Sequence, residues 1–156
     1  MYDTGAERQG DKMEFPKNFP KNFLWGTAAS AYQIEGRDPH DGKGDHIWNI
    51  YEREPGHIYE NQTGDIACDH IHRFKEDVAI MKKMGLKAYR FSMDWSRLLP
   101  EGTGRVNEAG VKFYSDLIDE LLANGVEPFI TMYHWELPYE LYKKGGWLNR
   151  DIAEWF

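Results

Sequence analysis

The chain has 156 residues, of which 41% are hydrophobic and 15% aromatic, enough for the core of one ordinary domain or part of a larger one. Its formal net charge of −7 is diffuse, which argues against nucleic acid and anionic membranes as partners, because both reward clustered Lys and Arg. Cys68 is the only cysteine, so no disulfide can form within the chain.

No stretch approaches the roughly 18 apolar residues of a membrane span. The polar start "MYDTGAERQGDK" lacks the apolar segment of a secretory signal. With one cysteine and no export signal, the expected location is cytoplasmic. Residues 1–14 read as a disordered leader or extension, with Met13 as an alternative start. "FPKNFPKNF", residues 15–23, is a tandem four-residue copy whose Pro and Asn suit extended or turning chain.

"FLWGTAASAYQIEG", residues 23–36, reads as a buried strand running into a small-residue turn. Residues 36–65 are rich in Gly, Asp, Pro and His and predict a long loop, whose length favours a binding role. "DHIHRFKEDVAIMKKMG" sets Ile71, Phe74, Val78 and Met81 on one helical stripe, with Gly85 as its C-terminal cap. "KAYRFSMDW", 87–95, alternates as a strand. Asn107 then caps a helix with Val111, Tyr114, Leu117, Ile118, Leu121 and Leu122 on one face, closed by Gly125. "EPFITMYHW", 127–135, is the third strand, ended by Pro138.

The order strand, helix, strand, helix, strand suits parallel βαβ units. A doubly wound sheet and a (β/α)8 barrel both fit, but no Gly-rich phosphate fingerprint follows a strand. In a barrel, function gathers at the C-terminal strand ends. Those ends carry Gln33 and Glu35, then Asp94 and Trp95, then His134, Trp135 and Glu136. Asp69, His70 and His72 have no fourth ligand at a recognisable spacing, so neither a metal nor another cofactor is expected. Trp147 reads as core packing. Glu35, Asp94 and Glu136 as an improvised catalytic pair is the weaker reading beside ordinary structural roles.

Five blocks carry a resemblance: "NFLWGTAASAYQIEG", "DGKGDHIWN", "GDIACDHIHRFKEDVAIMKKMGLKAYRFSMDWSRLLPEG", "FYSDLIDELLANGVEPFITMYHWELP" and "KGGWLNRDIAEWF". In this order they resemble the N-terminal part of glycoside hydrolase family one, the β-glucosidase family. The resemblance implies the first three βα units of a (β/α)8 barrel over residues 15–156. It implies hydrolysis of a β-glucoside or related oligosaccharide with retention of configuration.

By the same resemblance, Gln33, His134 and Trp135 bind the sugar, and Arg90 supports the nucleophile. The chemistry suits those roles. An amide and an imidazole both donate and accept, a Trp offers a flat apolar face, and an arginine keeps a neighbouring carboxylate ionised.

Retaining hydrolysis needs two carboxylates about 5 Å apart. The family's Asn-Glu-Pro and Glu-Asn-Gly blocks, which hold them, do not occur in this sequence. The chain is therefore expected to be a fragment, from a split or frameshifted gene or a partial sequence, without activity alone. Its last residues, Trp155 and Phe156, are expected to lack partners, in a helix that Asn149 caps. Alternatives are a short non-catalytic product or partner protein, and a 6-phospho-β-glucosidase. Trp135 leans towards the plain glucoside.

Overall fold

In the computed structural model, which describes residues 19–156, apolar spacing and turn glycines produce the expected alternation of strands and helices. The elements are β1 (Gly26–Ala28), α1 (Ala31–Ile34), α2 (Ile47–Arg53), α3 (His70–Lys83), β2 (Ala88–Ser92), α4 (Trp95–Leu98), α5 (Glu108–Ala123), β3 (Glu127–Thr131), α6 (Tyr139–Lys143) and α7 (Ile152–Trp155). Short 3₁₀ turns at Tyr59–Asn61 and Gly146–Leu148 complete the chain. The expectations for residues 1–14 and for the first part of the "FPKN" copy lie outside the described residues.

The three strands form one parallel sheet in the order β1-β2-β3. Paired residues of parallel strands share a face, so Tyr89 and Phe91 point one way with Thr27, Pro128 and Ile130. Ala28, Arg90 and Phe129 form one row on the opposite face. Tyr89 and Phe91 pack into a core with Phe74, Val78 and Met81 of α3, Phe113, Tyr114, Leu117 and Leu121 of α5, and Val126. Gly85 and Gly125 adopt φ of +74° and +70° where α3 and α5 end, a conformation that favours glycine.

Several expectations need correction. The first strand is exposed at all three positions rather than buried, because it lies at the edge of the sheet. The loop expected over 36–65 contains α2. Its buried residues are polar, Asn49 and Glu52, whereas Trp48 and Tyr51 are 36% and 44% exposed. This inverted pattern hides the helix from hydrophobic periodicity. His46 caps it reciprocally with Asn49, and Asn49 Nδ2 donates to Glu52 Oε1 over 3.1 Å.

The face of α5 is also rotated from the expected stripe. Phe113 joins the core, while Val111 and Leu122 are 41% and 53% exposed. The Asn107 side chain does not cap α5; it donates to the Asp41 and Arg97 carbonyls, each over 2.8 Å. Asn149 does not cap α7 either, since its Oδ1 accepts from the Asp151 N–H ahead of the helix. Trp155 and Phe156 do find partners. A second cluster of Trp95, Leu137, Leu141 and Ile152 takes Trp155 against it. Phe156 meets the edges of Trp95 and Trp147. Trp147, expected in the core, is 48% exposed and donates from its indole to the Tyr133 hydroxyl over 3.0 Å.

Buried ionic groups fix the tops of the first two strands. Arg97 is fully buried; its Nε donates to Glu35 Oε2, and its Nη2 to the Gly36 carbonyl, each over 2.9 Å. Its Nη1 reaches Asp41. Asp94, also fully buried, pairs with Lys43 at 2.5 Å and caps α4 through the Ser96 and Arg97 amides. Burial alone would push the Asp94 carboxyl up, but Lys43, then His46 and Arg97, pull harder and hold it well below the usual range. His46 Nδ1 accepts from the Asn49 amide at 3.4 Å, which leaves its proton on Nε2, 3.6 Å from Asp94. Burial drives the His46 pKa down to about 4 against the pull of Asp94.

Two predictions follow from this packing. Leu121→Ala, at a fully buried position, is expected to lower unfolding free energy by about 2–5 kcal/mol. Leu122→Ala, next to it but 53% exposed, should cost less than about 0.5 kcal/mol beyond any helix-propensity change. Urea unfolding of the two variants checks the rotated face. For His46, the folded pKa lies below the unfolded 6.5, so the unfolded chain binds the extra proton. The resulting stability is complete above about pH 6.5 and is lost as pH falls through 4, by up to about 3 kcal/mol. The difference between wild type and His46→Gln in urea midpoint, followed from pH 7.5 to 4, is expected to shrink along that window.

Candidate functional site

The site forms where the three strands end. Helix α1 is a single turn and cannot stabilise itself, and its first amides have no partners within the helix. The neighbouring strand ends supply them. Ala31 N–H donates to Ser92 Oγ at the end of β2, over 2.8 Å. Tyr32 N–H donates to Glu136 Oε1 beyond β3, over 3.2 Å. The Tyr32 ring is anchored from the other side, where its hydroxyl donates to Glu52 Oε2 over 2.5 Å. Gln33 follows directly and is exposed. It therefore sits on a turn whose position is set by three other elements, not at the end of the strand itself.

The third strand stops at Thr131, four residues earlier than the sequence pattern predicts. His134 and Trp135 lie in the irregular segment that follows. The His134 N–H donates to Glu136 Oε2 over 3.2 Å. Trp135 has φ of +82°, a left-handed conformation that an aromatic residue adopts only under constraint, at a cost of about 1–3 kcal/mol. The next turn is closed by Leu137 N–H donating to the Trp135 carbonyl over 2.9 Å. Pro138 bridges His46 rather than ending the strand, with Ile47 N–H donating to the Leu137 carbonyl. His134 is half-buried, and the Trp135 ring is 64% exposed above the sheet end.

Of the four expected site residues, His134 bonds the Glu136 carboxylate itself, while Gln33 and Trp135 are each next in the chain to a residue that does. Tyr32, the neighbour of Gln33, and His134 bond the two oxygens of that carboxylate, and Trp135 adjoins it. Arg90 is set apart from them. It lies on the exposed face of the sheet, two residues before Ser92, in the row shared with Ala28 and Phe129.

The three strand-end acids have separate structural partners. Glu35 serves Arg97 and accepts from the Tyr114 hydroxyl over 2.8 Å, Asp94 serves Lys43, and Glu136 serves the two amides. Glu136 is 1% exposed, and burial, followed by the nearby Asp94, pushes its carboxyl up to about 7. Ser92, Glu52 and Lys43 were not singled out from the sequence. A single serine, glutamate or lysine carries no local signal of the strand end or turn it will meet.

Away from this region, His70 and His72 bond different carboxylates, Asp77 and Asp69, each at 2.6 Å. No described helix is long and apolar enough to cross a membrane.

The profile of glycosyl hydrolase family 1 matches residues 15–156. Beta-glucosidase A of Thermotoga maritima is 56% identical over 140 residues, which are 90% of this chain and 31% of that protein. An aryl-phospho-beta-D-glucosidase of Bacillus subtilis is 54% identical over 144 residues, 92% of this chain and 30% of the relative. The solved family 1 β-glucosidase from Thermotoga maritima superposes with a TM-score of 0.86 at 55% identity, over 90% of this chain and 32% of that one. The same enzyme has been solved with deoxynojirimycin bound. The chain spans about a third of the length of these relatives. Its three βα units are the matching part of their TIM barrel, and the chain belongs to glycosyl hydrolase family 1.

Proposed function

We propose that the chain provides part of the glycone subsite of a retaining β-glucosidase. Gln33 and His134 take sugar hydroxyls, Trp135 lies along the apolar face of the ring, and Arg90 stands beside the nucleophile. The observation that carries this reading is the convergence of the α1 turn and the His134–Trp135 segment on the two oxygens of Glu136. That convergence gathers donors, acceptors and an aromatic surface at one end of a parallel sheet, where barrels concentrate function. The cytoplasm is the proposed location, and residues 15–156 are proposed as one barrel segment.

The chemistry requires an acid/base and a nucleophile about 5 Å apart. The buried acids at these strand ends are engaged with cations and amides instead. The chain by itself is therefore proposed to lack glycosidase activity. Arg90 has no ion pair among the described residues, which suits an arginine that meets its carboxylate in the closed barrel.

A plain glucoside is the preferred substrate class, supported by Trp135 and by relatives named β-glucosidase A and 1,4-beta-D-glucan glucohydrolase. The aryl-phospho-beta-D-glucosidase of Bacillus subtilis supports a second reading, a 6-phosphorylated glucoside.

Deoxynojirimycin titrated into the isotopically labelled chain is expected to shift the side-chain signals of Gln33 and His134. Gln33→Ala and His134→Ala should each weaken the effect at least about five-fold, the scale of a lost hydrogen bond. Glucose should compete better than glucose 6-phosphate; the reverse order would favour the second reading. No aryl β-glucoside turnover is expected from the chain alone. Turnover abolished by Glu136→Gln would overturn the assignment of Glu136 to a non-catalytic role.

A further inference from the structure

We propose that Glu136 is a positioning residue that sets the spacing and relative orientation of Gln33 and His134. This rests on the glycone reading above.

One carboxylate spans two turns that are 104 residues apart in sequence at its Tyr32 contact. Its Oε1 accepts from the Tyr32 amide, and its Oε2 from the His134 amide, both over 3.2 Å. Each of those amides lies at or next to a proposed sugar-binding residue. The bonds tie the two backbones to a common group, so the points from which the Gln33 and His134 side chains project are held relative to each other.

The burial of Glu136 makes this contact consequential. At 1% exposure, water cannot stand in for a lost protein partner, and a buried carboxylate must be satisfied by the bonds around it. Glu35 and Asp94, the other two acids of this region, are each balanced by a cation. Among the described residues, Glu136 is instead held by backbone amides. An ion pair would stabilise the charge wherever a cation reached it. Two amides from two different turns also fix where those turns lie.

The backbone around Glu136 carries a second, independent mark. Trp135 is held at φ +82°, and such a conformation persists only where the surroundings over-determine it. The constraints are in place on both sides. The His134 amide is tied to Glu136 before it, and after it the Leu137 amide and the Pro138–His46 bridge hold the chain. Releasing the His134 bond removes the constraint on the upstream side, and the His134–Trp135 peptide is then free to relax.

The bridge also depends on the charge state of Glu136. When ionised, both oxygens accept. When protonated, one oxygen carries a donor, and one of the two amide bonds weakens. The titratable groups that face Glu136 are Asp94 and Glu35 from the first two strand ends and Tyr133 on its own segment. Tyr32 lies across the bridge, and His46 lies beside Pro138. The carboxyl is pushed up to about 7 by burial, with Asp94 adding to it, so the bridge tightens as pH rises through neutrality.

The test uses the whole 156-residue chain, labelled with ¹⁵N, and deoxynojirimycin as probe. In wild type the Tyr32 and His134 amide resonances are expected to move together with one midpoint near pH 7. In Glu136→Gln, which keeps the volume, both should stay flat across that range. Inhibitor affinity should fall at least about five-fold in Glu136→Ala, and Glu136→Asp should restore most of it, because it returns the charge. Circular dichroism establishes that each variant is folded. If Glu136→Ala does not fold, Glu136→Gln takes its place, with an intermediate loss because its one acceptor oxygen serves a single amide.

Amides that titrate independently would overturn the bridge, whatever the inhibitor does. Amides that titrate together, with affinity unchanged in the folded variant, would overturn the positioning role. If wild type binds no inhibitor, the glycone reading fails on its own, and the amide titration still decides whether the bridge exists.

Discussion

The fully buried guanidinium of Arg97 is the interaction on which the rest of the strand tops depends. It touches Glu35, the Gly36 carbonyl and Asp41, and its Cζ lies 5.5 Å from the Phe113 ring centroid. These contacts tie α4 to the segment that follows α1 and to the long connection leading to α2. A buried ion pair contributes little net stability over an apolar substitute, because desolvation offsets the attraction. Removing one partner leaves an uncompensated charge and costs about 3–5 kcal/mol. The value of the network is therefore geometric. It excludes every arrangement of these loops in which an acid or the arginine lacks its partner.

Polar satisfaction then spreads outward from this point. Asp94 sits two residues past β2 and is held by Lys43 from the long connection, so the backbone of α4 begins at a fixed place. Asn107 returns to the same connection through the Asp41 carbonyl and brings the start of α5 with it. The Tyr114 hydroxyl accepts nothing from the apolar core around it. It donates to Glu35 and accepts from the Asp94 amide over 2.7 Å. One tyrosine thus joins the hydrophobic layer between sheet and helices to the ionic layer above it. Glu35, the residue after α1, belongs to that second layer and so anchors the turn that carries Gln33.

The hydrophobic layer was legible because its rule is local. Phe74, Val78 and Met81 recur at helical spacing, and Gly85 and Gly125 mark where α3 and α5 end. The parallel order followed from strands separated by one helix. The stripe on α5 was misjudged because Val111 and Leu122 are as apolar as their buried neighbours, and only the angle at which α5 meets the sheet selects Phe113 over them. Helix α2 was missed for the opposite reason. Its inward face is Asn49 and Glu52, which are satisfied by each other, by the Tyr32 hydroxyl and by the Gly64 amide. No periodicity argument treats a polar residue as core.

The sequence by itself therefore determined the three strands, the two long helices α3 and α5 between them, their parallel arrangement and, through its motif blocks, the family. Those features depend on spacing along the chain or on a recurrent order of residues. Only the tertiary structure decided what each strand-end acid does. Glu35, Asp94 and Glu136 read alike as carboxylates after strands, yet one faces a guanidinium, one an ammonium and one two amides. Apart from the nearby His134 amide, those partners lie 51 to 104 positions away, and electrostatics and hydrogen bonding act through space at a few ångströms, whatever the distance along the chain.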